Sequence, residues 1–64
     1  MDYEKPAVQL TGEDGNVFAI IGRVSKALRR AGLPQVAEEF SKKAMSSGSY
    51  DEVLRLCFDY VEVE

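Results

Sequence analysis

Apolar and polar residues alternate at both ends of this chain, and the apolar residues fall at helical spacing between. Near the start, "AVQLT" sets Val8 and Leu10 on one side and Gln9 and Thr11 on the other. That period of two predicts a short, half-buried strand. "GEDG" follows as a turn by composition. From Gly15 or Asn16 to Ala31, helical spacing takes over. Projected at about 100° per residue, Val17, Ile20, Ile21, Val24, Ala27, Leu28 and Ala31 share one face, with Phe18 just beyond its edge. Arg23, Lys26, Arg29 and Arg30 occupy the opposite arc with Ala19 and Gly22. Asp14 or Asn16 suits the N-cap, and Gly32 suits the C′ position that ends a helix.

A second, shorter helix opens at Pro34 and ends at "SSGS". Its apolar face is Leu33, Val36, Ala37, Phe40 and Ala44. Glu38 with Lys42, and Glu39 with Lys43, are i,i+4 pairs in the favourable orientation, so its outer surface neutralises itself. "SYDE" then forms a capping box from Ser49 and Glu52. The third helix carries Tyr50, Val53, Leu54, Leu56, Cys57, Phe58, Tyr60 and Val61, an apolar arc of about 200°. Past Tyr60, "VEVE" alternates again and predicts a terminal strand, although no glycine marks where the helix stops.

Two short alternating segments at opposite ends pair most economically with each other. The expected fold is α+β, in the order β-α-α-α-β, with three helices packed on a two-stranded sheet formed by the N- and C-terminal segments. A lone two-stranded ribbon is marginal in water, so the helices must cover it. One domain spans residues 1–64, with residues 1–6 as a loose lead-in because Pro6 cannot donate to a sheet ladder.

At 64 residues, stability needs attention. Domains of this size bury only about 60% of the surface their unfolded chains expose. Disulfides, a structural metal or self-association usually compensate. Cys57 is the only cysteine and histidine is absent, so no internal disulfide forms and no closed zinc site can be built. Self-association is the remaining supplement. The run Val17 to Ile21 is too short to span a membrane, and no membrane role is expected. A lone cysteine and no export signal suit a reducing cytoplasm.

For chemistry the residues offer little. Without histidine there is no Ser–His or Cys–His pair, and neither a catalytic group, a metal nor a cofactor is expected. Cys57, mid-arc on the third helix, reads as a small core side chain. "TGEDGN" resembles an anion-cradling loop only in its glycines. Glu13 and Asp14 place negative charge where a phosphate would sit, and a turn with a helix cap explains it. The net charge of −3 discourages general nucleic-acid affinity without excluding a local basic face.

Two features concern binding. Arg23, Lys26 and Arg30, spaced i, i+3, i+7, align along a ridge with Arg29 beside it. They serve either as a solvated face or as a surface for an acidic protein or for phosphates. The wide arc of the third helix is either packed internally or leaves a strip, Leu56, Phe58 and Tyr60, for a second copy of the chain.

At "VQLTGEDGNVFAIIGRVSKALRRAG" and the later "SGSYDEVLRLCFDYVEVE", the chain resembles a group of short bacterial proteins often met near phage or mobile-element genes. The resemblance covers Val8 to Glu64. The group has no assigned activity, so the resemblance implies a self-contained cytoplasmic domain and carries over no functional residue. The expectation is a non-catalytic protein-interaction domain whose partner is another protein or itself as a homodimer. The alternative is a nucleic-acid-associated accessory protein using Arg23, Lys26, Arg29 and Arg30.

Overall fold

A computed structural model of the chain describes residues 3–10 and 16–64. Strand β1 spans Ala7–Val8, helices α1, α2 and α3 span Val17–Arg30, Pro34–Met45 and Tyr50–Tyr60, and strand β2 spans Glu62–Val63. This is the β-α-α-α-β order, with the terminal segments paired. The strands run parallel, Ala7 opposite Glu62 and Val8 opposite Val63. The N–H groups of Glu62 and Glu64 donate to the carbonyls of Pro6 and Val8, at 2.9 and 2.8 Å. Only two residues of each strand form the ladder, yet the expected alternation holds on both sides of it. Val8, Leu10 and Val61 are buried, while Gln9, Glu62 and Glu64 are exposed. The turn read at Gly12, Glu13, Asp14 and Gly15 lies outside the described residues, as does Thr11.

Local chemistry accounts for the helix ends. Asn16 caps α1, its side chain accepting from the Phe18 N–H at 2.9 Å. At the other end Gly32 adopts φ 81°, a left-handed conformation that L side chains enter only under strain. There the Leu33 N–H donates to the Leu28 carbonyl at 2.9 Å and the Gly32 N–H to Arg29 at 3.0 Å. This pair of bonds is a Schellman motif, and it satisfies two carbonyls the helix leaves over. Ala31 becomes the cap and is exposed, not a member of the buried face. Ser49 caps α3 by accepting from the Glu52 N–H at 3.2 Å. Glu52 reaches back one residue further than a capping box requires, accepting from the Gly48 N–H at 2.8 Å.

The core is formed where the three helical faces meet beneath the sheet. Ile20, Val24 and Leu28 of α1 join Ala37, Phe40 and Ala44 of α2, Val53, Cys57 and Tyr60 of α3, and Val8 and Val61 of the strand segments. The Phe40 and Tyr60 rings meet edge to face, with centroids 5.4 Å apart. A polar contact crosses the α1–α2 seam, where the Ser25 and Ser41 hydroxyls lie 2.7 Å apart. The lead-in is tied down at each of three residues. The Tyr3 hydroxyl donates to the Tyr60 carbonyl and the Lys5 ammonium to the Phe58 carbonyl, both at 3.0 Å, and the Pro6 carbonyl accepts from Glu62. The missing N–H of Pro6 does not prevent this, because its carbonyl is the group the ladder uses.

Candidate interaction surface

All four cations of the ridge are exposed on α1, opposite its buried face. Arg29 and Arg30 stand in the last turn, where positive charge complements the helix dipole. Their surroundings differ from those of the cations on α2. Lys42 pairs with Glu38 at 3.3 Å and Lys43 with Glu39 at 3.6 Å, so the outer face of α2 is self-compensated. Arg23 has an interaction partner of its own. Among the described residues Lys26, Arg29 and Arg30 form no ion pair, and they are the uncompensated charge of the ridge.

The tertiary structure splits this ridge between two grooves. One, of about 750 Å³, runs between α1 and β1, where Arg23, Lys26 and Arg30 face the consecutive residues Pro6 to Gln9. The other, of about 710 Å³, lies between α1 and α2, with Lys26, Arg29 and Arg30 at one end and Phe18, Ile21 and Met45 at the other. Gly22 lines both grooves, and a Cβ there would meet nothing within 4 Å. Lys26 and Arg30 also line both grooves, so the same two cations border each.

Phe18 and Met45 are 65% and 63% exposed and adjoin the second groove. Sequence reasoning left Phe18 at the margin of a face and did not single out Met45. No periodicity connects the two residues, because they sit on different helices and only the α1–α2 packing brings them together.

On α3 the proposed strip does not form one surface. Tyr60 is 1% exposed, Leu56 is half-buried against the core, and Phe58 is 59% exposed. Residues two apart on a helix point about 200° apart, so Phe58 cannot share a face with Leu56 and Tyr60. The Tyr60 hydroxyl donates to the Glu39 carboxylate, and the Lys43 ammonium lies 5.8 Å from the centre of its ring. Burial, then the bond to Glu39, raises the Tyr60 phenol above its ordinary range. The same bond, followed by the charge of Lys43, lowers the Glu39 carboxyl. These contacts fasten α3 to α2.

Cys57 is buried, and desolvation pushes its thiol from 9.0 up to about 11. A nucleophilic cysteine needs the opposite shift and an open approach. Among the described residues no group of three His, Cys, Asp or Glu side chains is placed to hold a metal ion. No described helix is long and apolar enough to cross a membrane. No known protein family, curated protein or solved structure matches the chain.

Proposed function

We propose that this is a non-catalytic interaction domain that binds an acidic protein segment on the cationic face of α1. The observation supporting this reading is that Lys26, Arg29 and Arg30 form no ion pair among the described residues and border two grooves, while the α2 lysines are paired off by their own helix. Isolated exposed charges contribute little to folding, so this cluster has small structural value beyond the dipole interaction of its last turn. Charge complementarity of this kind steers encounter and selects partners.

A nucleic-acid partner is the second reading. The ridge supports it less well, because the helix that carries the cations holds no Asn or Gln to read base edges. Self-association through Leu56, Phe58 and Tyr60 is not carried forward, since Tyr60 is inside the core.

The test is sedimentation velocity with fluorescent poly-L-glutamate or a short mixed-sequence DNA duplex, at about 50 mM salt, where charge contacts are strongest. Polyglutamate should co-sediment with the native protein and not with the Lys26→Glu, Arg30→Glu variant, once circular dichroism shows that variant folded. Tighter binding of the duplex would transfer the surface to nucleic acid. Binding of neither, or equal binding by the variant, would overturn the assignment.

A further inference from the structure

We infer that the partner enters as an extended strand on the open edge of β1, with acidic side chains at alternate positions facing Lys26 and Arg30; this rests on the acidic-partner reading above. The ladder uses the carbonyls of Pro6 and Val8 toward β2. Backbone groups of successive residues in a strand point to opposite edges, so those of Ala7 and Gln9 face away from β2. The parallel register gives these groups no ladder partner in β2. An uncovered row of this kind is a template for another strand.

The groove beside that edge has the length and spacing for one. It is lined by about three turns of α1, from Ala19 to Arg30, with the cap Ala31, and by Pro6 to Gln9. Lys26 and Arg30 are one turn apart, about 6 Å along the helix. Residues two apart on an extended chain are about 6.7 Å apart on one face. A strand with glutamate or aspartate at every second position therefore offers one carboxylate to each cation while its backbone pairs with Ala7 and Gln9. A helical or compact acidic partner would meet the charges and leave the edge unused.

A second copy of the chain is the occupant that charge disfavours. Pairing β1 with β1 of another copy about a two-fold axis would place two sets of Lys26 and Arg30 against each other. The chain's own acidic alternation, Glu62 and Glu64, already sits on the opposite edge of β1. Presented from the outer edge of β2, it would join copies head to tail in an open chain and not in a closed dimer.

The test uses the full-length protein labelled with 15N and two capped eight-residue peptides of equal charge. In one, glutamate alternates with threonine; the other has the same sequence with every backbone amide N-methylated, which removes the donors on both edges and blocks strand pairing. The unmodified peptide should bind and slow amide exchange at Ala7 and Gln9, and the N-methylated peptide should bind at least about tenfold more weakly, since each main-chain bond lost is worth about fivefold. Equal binding without protection at Ala7 and Gln9 would overturn strand addition and leave the acidic-partner reading standing. Failure of both peptides, with polyglutamate binding also lost, would overturn both. Protection of those amides in a peptide-free dimer would reassign the edge to self-association.

Discussion

Cys57 provides a direct check on how α3 sits in the core, because the chain has one thiol to count. Its side chain is 0% exposed and its thiol is raised from 9.0 to about 11 by burial. At pH 8 an ordinary thiol near 9 is about one-tenth thiolate, whereas one near 11 is about one-thousandth. Ionisation alone thus slows reaction about a hundredfold. Access slows it further, since an aromatic disulfide reagent must wait for the helix to open. Stability of about 0.05–0.15 kcal/mol per residue, or about 3–10 kcal/mol here, leaves the open form below about one molecule in a hundred. The assay follows release of the thiolate chromophore at pH 8 from native protein and from protein in denaturant. The native rate should be at least about a hundredfold lower, and a rate within tenfold of the denatured one would refute the placement of α3. The same shift fixes a pH dependence. Between 9 and about 11 the unfolded thiol loses its proton while the folded one keeps it, so the folded state binds more protons. Stability from this source is full below 9 and declines as pH rises through that window. Tyr3 and Tyr60, also raised by burial, act in the same direction, and Cys57→Ala isolates the cysteine's share of the alkaline slope in urea melts.

Two further substitutions probe the joints of the fold. Gly32→Ala introduces a Cβ with no atom within 4 Å, so its whole cost is the left-handed backbone, about 1–2 kcal/mol. A thermal melt should show a loss of about 4–8 °C for each kcal/mol, and an unchanged Tm would contradict the Schellman geometry. Ser25→Ala and Ser41→Ala should each cost about 1 kcal/mol, and the double variant about as much as either alone, because one hydroxyl pair is lost in all three. Strict additivity in urea denaturation would mean the hydroxyls do not bond.

The order of elements was legible in the sequence because each segment's periodicity matches the face it buries. Val8 and Leu10, or Ile20, Val24 and Leu28, need only a partner surface, and any packing of these segments supplies one. Caps were legible for a similar reason. Asn16, Pro34 and Ser49 act on backbone groups within a few residues, so their effect does not depend on the tertiary structure. What the sequence did not reveal was the difference between a wide apolar arc and an exposed strip. Leu56, Phe58 and Tyr60 are all apolar, yet burial separates them, because α3 is covered by α2 and by the Tyr3 end of the chain, while the side carrying Phe58 is left to solvent. Ser25 was missed for the converse reason. A hydroxyl on the edge of a polar arc is unremarkable until Ser41 on another helix comes within 2.7 Å.

The cationic ridge lies between these cases. Its residues and spacing are plain in "GRVSKALRRAG", but a row of cations on one helix has no direction until something stands beside it. The fold supplies β1 on one side and α2 on the other, and of the two only β1, an edge strand, turns a row of main-chain groups away from its ladder. Short two-stranded sheets carry a general hazard, because each open edge can recruit another copy of the same strand. Positive charge on the helix beneath β1 opposes that pairing, since any symmetric approach brings the cations of two copies together. The same charge favours an incoming strand of opposite sign. On this reading one set of side chains keeps the edge from pairing with itself and selects what is admitted. Reversing the sign of Lys26 and Arg30 should therefore do two things together. It should abolish binding of acidic strands, and it should not by itself produce dimers, because a symmetric approach still sets like charges at those two positions against each other. Replacing the pair with threonine removes both the attraction and the repulsion, and that neutral variant is the one expected to self-associate through β1. Its mass in sedimentation velocity separates a charge that guards an edge from a charge that only keeps a helix soluble.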